Sequence, residues 1–94
     1  MHEGNLISNR YLLSRLLDHG GMASVWLARD TKLNIDVALK FLSKKLAGDI
    51  SAVNNFRTEW EIASKLVHPN IVKVFEYFTN ENSPPFFSME YIEG

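Results

Sequence analysis

The chain has no cysteine among its 94 residues. That excludes disulfides and thiolate metal sites, so whatever holds the fold together is packing, hydrogen bonds and charge. Proline is scarce at three and glycine at five, too few for a low-complexity or fibrous segment. No sign of charge dominates. Ten Lys and Arg against 11 Asp and Glu leave a formal net charge of −1. Such a balance gives no electrostatic case for nucleic acid or a membrane surface as partner. No apolar run approaches the length of a membrane helix. The stretch Met1 to Ser8 lacks the basic-then-apolar layout of a signal peptide. The expectation is a cytoplasmic domain. A hydrophobic share of 46% is globular, and 94 residues suit one small domain with a modest core.

Against that background one residue stands out. Lys40 sits inside the apolar run Val37-Ala38-Leu39-Lys40-Phe41-Leu42, which reads as a buried strand. Alternation places Ala38, Lys40 and Leu42 on one face and Val37, Leu39 and Phe41 on the other. A buried ammonium is costly unless paired and hydrogen-bonded, so the chain should hold an acid for it. Val53 to Val67 has apolar residues at Phe56, Trp60, Ala63, Leu66 and Val67, the spacing of a one-sided helix. At about 100° per residue Glu59 falls on that stripe, while Glu61 falls outside it with Arg57, Ser64 and Lys65. A buried pair of Lys40 and Glu59 is the expectation. By itself it can equally be a structural salt bridge, although such pairs are weak sources of stability.

A second motif lies upstream. The apolar stretches Tyr11 to Leu17 and Ser24 to Ala28 flank Gly20-Gly21, which reads as a hairpin whose tip lacks side chains. Glycines there let backbone N–H groups approach an anion closely, though Gly-Gly is also an ordinary turn. The histidines, His2, His19 and His68, lack metal-ligand spacing. His68 reads as a helix-end hydrogen-bonding residue, and Trp60 and Phe56 read as core. Trp26 alternates with Val25 and Leu27, so it packs on the opposite face of the sheet. The pattern predicts strands at Arg10–Leu17, Ala23–Arg29, Ile35–Leu42, Ile71–Phe78 and Pro85–Tyr91. It predicts a helical turn at Lys44–Ala47, a loop at Gly48–Ala52, and one main helix from about Val53 to Val67, stopped by Pro69. Thr79–Pro85 reads as a loop.

In order, the chain carries Gly20-Gly21-Met22-Ala23-Ser24-Val25, Val37-Ala38-Leu39-Lys40, Phe56-Arg57-Thr58-Glu59, His68-Pro69-Asn70-Ile71-Val72 and Met89-Glu90-Tyr91-Ile92-Glu93-Gly94. This series resembles the small, N-terminal lobe of a eukaryotic-type protein kinase, especially the bacterial Ser/Thr kinases. The resemblance covers about residues 10 to 94, with residues 1–9 as an N-terminal extension. It implies an α+β fold: a five-stranded antiparallel sheet with one main helix between the third and fourth strands. It also implies an ATP-binding lobe of an enzyme that transfers the γ-phosphate of ATP to protein hydroxyls.

Carried over by motif, Lys40 matches the lysine that holds the α- and β-phosphates and pairs with the helix glutamate, here Glu59. These two are the expected catalytic residues. Gly20 and Ala23 match the second and third loop glycines. With Leu17, Asp18, His19, Gly21 and Met22 they make the expected nucleotide-binding turn. Val25 matches the valine covering the adenine, and Ala38 the residue beneath it. Met89 matches the gatekeeper. Glu90, Tyr91 and Ile92 match the hinge, whose backbone groups bond the adenine edge. Ala63 and Val74 match positions of the family's regulatory spine.

The family's catalytic-loop and metal-binding motifs, H-R-D and D-F-G, do not occur here. The resemblance therefore places the Mg²⁺ ligands in a second lobe, and the segment alone is not expected to transfer phosphate. That second lobe and a protein substrate are the implied partners. The face of Val25, Ala38 and Met89, uncovered without that lobe, would favour dimers. One position departs from the pattern: Asp18 stands where the family has its first loop glycine. A carboxylate there has the wrong sign for a polyphosphate, and Asp18→Gly would be expected to tighten ATP binding several-fold. The alternative reading it motivates is a pseudokinase, a module that keeps the fold and binds partners.

Overall fold

The computed structural model describes residues 1–66, 68–80 and 83–92. The expected helix end at Val67, the loop tip at 81–82 and the last two residues of the final motif, Glu93 and Gly94, lie outside the described residues. Strands β1 (Leu6–Ile7), β2 (Tyr11–His19), β3 (Ala23–Asp30) and β4 (Ile35–Leu42) precede helix α1 (Ile50–Lys65), and β5 (Val74–Asn80) and β6 (Ser83–Glu90) follow it. All pair antiparallel in one sheet of order β1-β2-β3-β4-β6-β5.

The sheet has six strands rather than five, because the N-terminal extension supplies β1. Ile7 accepts from the Arg10 amide at 3.0 Å across Ser8 and Asn9. Both central residues have positive φ, 51° and 56°. Consecutive left-handed residues make the tight turn that hairpins favour, and asparagine tolerates that region better than most. A two-residue strand carries no readable periodicity, which is why the pattern showed only an extension.

Alternation in β4 sorts the molecule into two layers. Val37, Leu39 and Phe41 join Tyr11, Leu13, Trp26, Ala28 and Phe86 in one buried cluster. Trp26 is thus on the face predicted for it. Leu42 joins Phe56 of α1 and Phe87 in a second cluster, with Val53, Trp60, Val74 and Tyr77 packed against it. The sheet curls until its two ends meet: the Tyr11 ring meets Phe78 of β5 edge-on, with centroids 5.6 Å apart. Such edge-to-face pairs add about 0.5–1.5 kcal/mol beyond the area they bury.

A polar hub closes the same seam. Arg10 forks onto Asp30, with Nε at 2.9 Å from Oδ1 and Nη2 at 2.8 Å from Oδ2. Its Nη1 reaches Glu76 of β5 at 3.0 Å, and the guanidinium carbon lies 4.8 Å from the Tyr11 ring centroid. Asp30 also accepts from the amides of Lys32 and Leu33, which shapes the β3–β4 turn. Arg10 beside it, more than burial opposing, holds the Asp30 carboxyl below the usual carboxylate range.

Helix α1 starts three residues before the predicted Val53. Asp49 is the cap: its Oδ1 accepts from the amides of Ser51 at 2.9 Å and Ala52 at 3.3 Å. Asp49–Ala52 of the predicted loop are therefore cap and first turn, and Gly48 ends a short 3-10 turn, Leu46–Gly48. Aspartate before an apolar-periodic run is the readable signal that locates such a start. Asp49→Ala is expected to cost about 1 kcal/mol through the lost cap, and a denaturant titration read by far-ultraviolet circular dichroism checks it. Leu66, expected on the buried stripe, is instead the C-cap residue and half exposed. The last hairpin extends past its prediction, to Asn80 and from Ser83. Pro84 and Pro85 are tolerated in β6 because pairing with β4 stops at Phe86, so no ladder bond on that side is lost.

Candidate functional site

The β2–β3 hairpin, β4 and α1 enclose an open cleft of about 580 Å³. Its boundary follows from strand register. Asp18 opposes Val25, Val25 opposes Lys40, and Lys40 opposes Phe87. Opposed residues in a sheet share a face, so this row points one way across four strands. A parallel row two residues along carries Arg15, Leu27, Ala38 and Met89. The cleft thus has two ends, one apolar beside Ala38 and Met89, one charged beside Lys40.

At the charged end Lys40 Nζ donates to Glu59 Oε2 at 2.5 Å. The two residues predicted as partners are brought together from a strand and a helix. The pair is not buried, however. Their side chains are 27% and 51% exposed. The reason is architectural: β4 buries its Val37–Leu39–Phe41 face, while its other face lines an open cleft. Glu59 lies on the sheet side of α1 but at the cleft rim, beyond buried Phe56. Glu61 points elsewhere and pairs with Arg57 at 3.2 Å. An ion pair this exposed is worth at most about 1 kcal/mol, so stability does not account for its placement.

The glycine turn hangs over the same end. Gly20 N–H donates to Ala23 O at 2.9 Å and closes the hairpin, and the Met22 carbonyl is held by the Ser43 amide at 2.8 Å. Among the described residues the amides of Gly21 and Met22 have no acceptor. A Cβ added at Gly20 or Gly21 would meet nothing within 4 Å, and neither residue has positive φ. The fold itself therefore requires no glycine at either position. Met22 at the tip is 71% exposed.

The structure also separates the predicted residues. Asp18, His19, Gly20, Gly21, Met22, Ala23, Val25, Lys40, Glu59 and Met89 all border the cleft. Ala38 lies beneath it, 3% exposed. Leu17 is the extra residue of a bulge between Leu16 and Asp18, and half-buried. Glu90, Tyr91 and Ile92 lie past the apolar end, and the Glu90 amide is taken by Lys73 O at 2.8 Å. Val25 and Met89 are half-buried, so the face expected to drive dimers is less open than supposed. Leu66 and Phe75 are more open, and they line a groove that also holds Ala63 and Val74. Sequence reading missed Val72 and Phe87 as cleft residues. Phe87 was within reach, since it stands two residues from Met89 on one strand and so shares its face. It also missed Arg15, whose Nη2 lies 3.5 Å from the Tyr91 hydroxyl and ties β2 to the chain beyond β6. His68 serves the turn after α1, accepting at Nδ1 from the Asn70 amide at 3.1 Å.

Known proteins resemble this chain in sequence and in fold. The chain is 42% identical over 91 residues to the serine/threonine-protein kinase PrkC of Bacillus subtilis, a match that covers 97% of this chain and 14% of that protein. It is 45% identical over 91 residues to the serine/threonine-protein kinase PknB of Mycolicibacterium smegmatis, covering 94% of this chain and 15% of the relative. The chain thus spans about a seventh of the length of these relatives. Among solved structures, the crystal structure of the Mycobacterium tuberculosis PknI kinase domain matches with a TM-score of 0.77 at 28% identity, over all of this chain and 37% of that one. The protein kinase domain family matches residues 11–94, from the first residue of β2 onward. With β1 as an added edge strand, the chain belongs to the protein kinase domain family and has the fold of its N-terminal lobe.

Proposed function

We propose that this chain is the ATP-binding lobe of a Ser/Thr protein kinase. One observation carries the reading: Lys40, held by Glu59 at 2.5 Å, faces a cleft roofed by a turn whose Gly21 and Met22 amides are free. An ammonium and two unpaired backbone donors on residues that border one open volume suit the oxygens of a polyphosphate. Glu59 aims the ammonium and limits its freedom. The apolar end, where Ala38 and Met89 share a sheet face with Val25, suits one side of a flat heterocycle. The relatives' names favour a phosphotransferase over a module that only binds partners.

The residues present fit ATP but not a metal on their own. Among the described residues no cluster of three or more His, Asp or Glu side chains could hold an ion. Mg²⁺, which would bridge and neutralise the phosphates, is proposed to be held by a second lobe of the full-length protein. Protein hydroxyls are the proposed acceptors and the cytoplasm the proposed setting.

Gly21→Val separates fold from function in the full-length protein. Its side chain would meet open space, and surface changes of this kind usually alter stability by less than about 0.5 kcal/mol. The melting temperature should hold while ATP affinity, read by calorimetric titration, falls several-fold. Unchanged affinity would remove the glycine turn from the site.

A further inference from the structure

Asp18 belongs to β2 and not to the glycine turn. Its backbone is not left-handed, so nothing in the local conformation asks for glycine there. Its side chain stands in the cleft row with Val25 and Lys40, two strands from the ammonium. Neighbouring strands lie about 4.8 Å apart, which puts roughly 10 Å between the Asp18 and Lys40 backbones. The Lys40 ammonium is taken by Glu59 instead, and Asp18 makes no ion pair among the described residues. His19 pairs with Ser24, one step out of phase, so its imidazole does not stand in this row. Asp18 is thus an exposed, unpartnered carboxylate on the wall of the cleft.

An ionised carboxylate only accepts hydrogen bonds. A nucleotide offers it few donors. Its phosphates offer none, and they belong beside Lys40 and the glycine turn. Its base belongs at the Ala38–Met89 end, in the row two residues away, about 6.6 Å along the strands. The sugar bridges the two ends, beneath the stretch of β2 that leads into the turn. Its hydroxyls are the donors left over.

We propose that Asp18 accepts a hydrogen bond from a ribose hydroxyl of the bound nucleotide, and so makes this site select ribonucleotides over their deoxy counterparts. The inference rests on the nucleotide-site reading above. It reverses the expectation from charge alone, in which Asp18 simply repels the polyphosphate. The two effects are separable. Repulsion from phosphates acts equally on ATP and on its deoxy analogues. A sugar contact acts only on the nucleotide that carries the hydroxyl. Sites that bond a substrate hydroxyl reject the analogue lacking it. Because Asp18 is exposed, the discrimination should be about tenfold, the low end for a hydrogen bond to a charged group.

The test measures dissociation constants of ATP, 2′-deoxy-ATP and 3′-deoxy-ATP for the full-length protein and for its Asp18→Ala and Asp18→Asn variants. The wild type should bind ATP about tenfold more tightly than at least one deoxy analogue. Asp18→Ala should erase that ratio by weakening ATP alone. Asp18→Asn should keep part of it, since the amide oxygen still accepts. Equal wild-type affinities for all three nucleotides would overturn the inference. So would Asp18→Ala tightening all three together, which is the signature of phosphate repulsion. A folded wild type that binds none of them would overturn the nucleotide-site reading itself, and the inference with it.

Discussion

Asp30→Ala should destabilise the lobe by about 3 kcal/mol, the lower end of the cost of removing one partner from a buried ion pair. Asp30 is 2% exposed and answers four donors: two from the Arg10 guanidinium and the amides of Lys32 and Leu33. Alanine leaves those amides without their acceptor and Arg10 with Glu76 alone. The loss falls where β2, the β3–β4 turn and β5 meet. Native-state hydrogen exchange of the full-length protein checks it locally. Amides of β2, β3 and β4 should exchange about a hundredfold faster, since each 1.36 kcal/mol is a factor of ten. Unchanged exchange would mean that the aromatic seam of Tyr11, Phe78 and Phe86 closes the sheet without the hub.

The same hub fixes a pH dependence. Arg10 depresses the Asp30 pKa in the folded state, so the unfolded chain takes up the proton first as pH falls. The stabilisation is complete above the unfolded value of about 3.9 and is lost as pH drops through the lower folded value. Between pH 5 and 8 Asp30 contributes no slope. Asp30→Asn should be less stable at neutral pH and lose less than the wild type on acidification below about pH 4, as followed by denaturant midpoints. Parallel losses in the two proteins would assign the acid sensitivity to other carboxylates.

Lys40→Met should lower phosphoryl transfer by the full-length protein by at least about 10²–10³-fold, the effect of deleting one preorganised charge donor from a reacting oxyanion. Stability should barely change. The Lys40–Glu59 pair is exposed on both sides, and the methionine stem can cover Phe87, the register partner of Lys40, as the lysine stem does. Loss of activity with an unchanged melting temperature is the expected result. Retained activity would refute the assignment of Lys40. A large fall in stability would make the pair structural after all.

How much of this was legible in the residues depends on the range of the interaction. The two faces of Val37–Leu42, the hairpin at Gly20-Gly21, the helix through Phe56 and Trp60, and the Lys40–Glu59 partnership follow from periods of two and about 3.6 within single segments. So does the opposite placement of Trp26 and Val25. Other features needed partners far along the chain. Arg10 and Glu76 are 66 residues apart, and neither stands in a pattern that names the other. Strand β1 is too short to show a period and exists because β2 offers it an edge. The exposure of Lys40 was read wrongly for the same reason. An apolar run shows that a strand is flanked by core, but only the curl of the sheet and the position of α1 decide that one face of β4 is sealed and the other opens on a cleft. Local alternation therefore determined which side chains share a face. Tertiary structure alone decided which of those faces met core, which met its own far edge, and which was left open for chemistry.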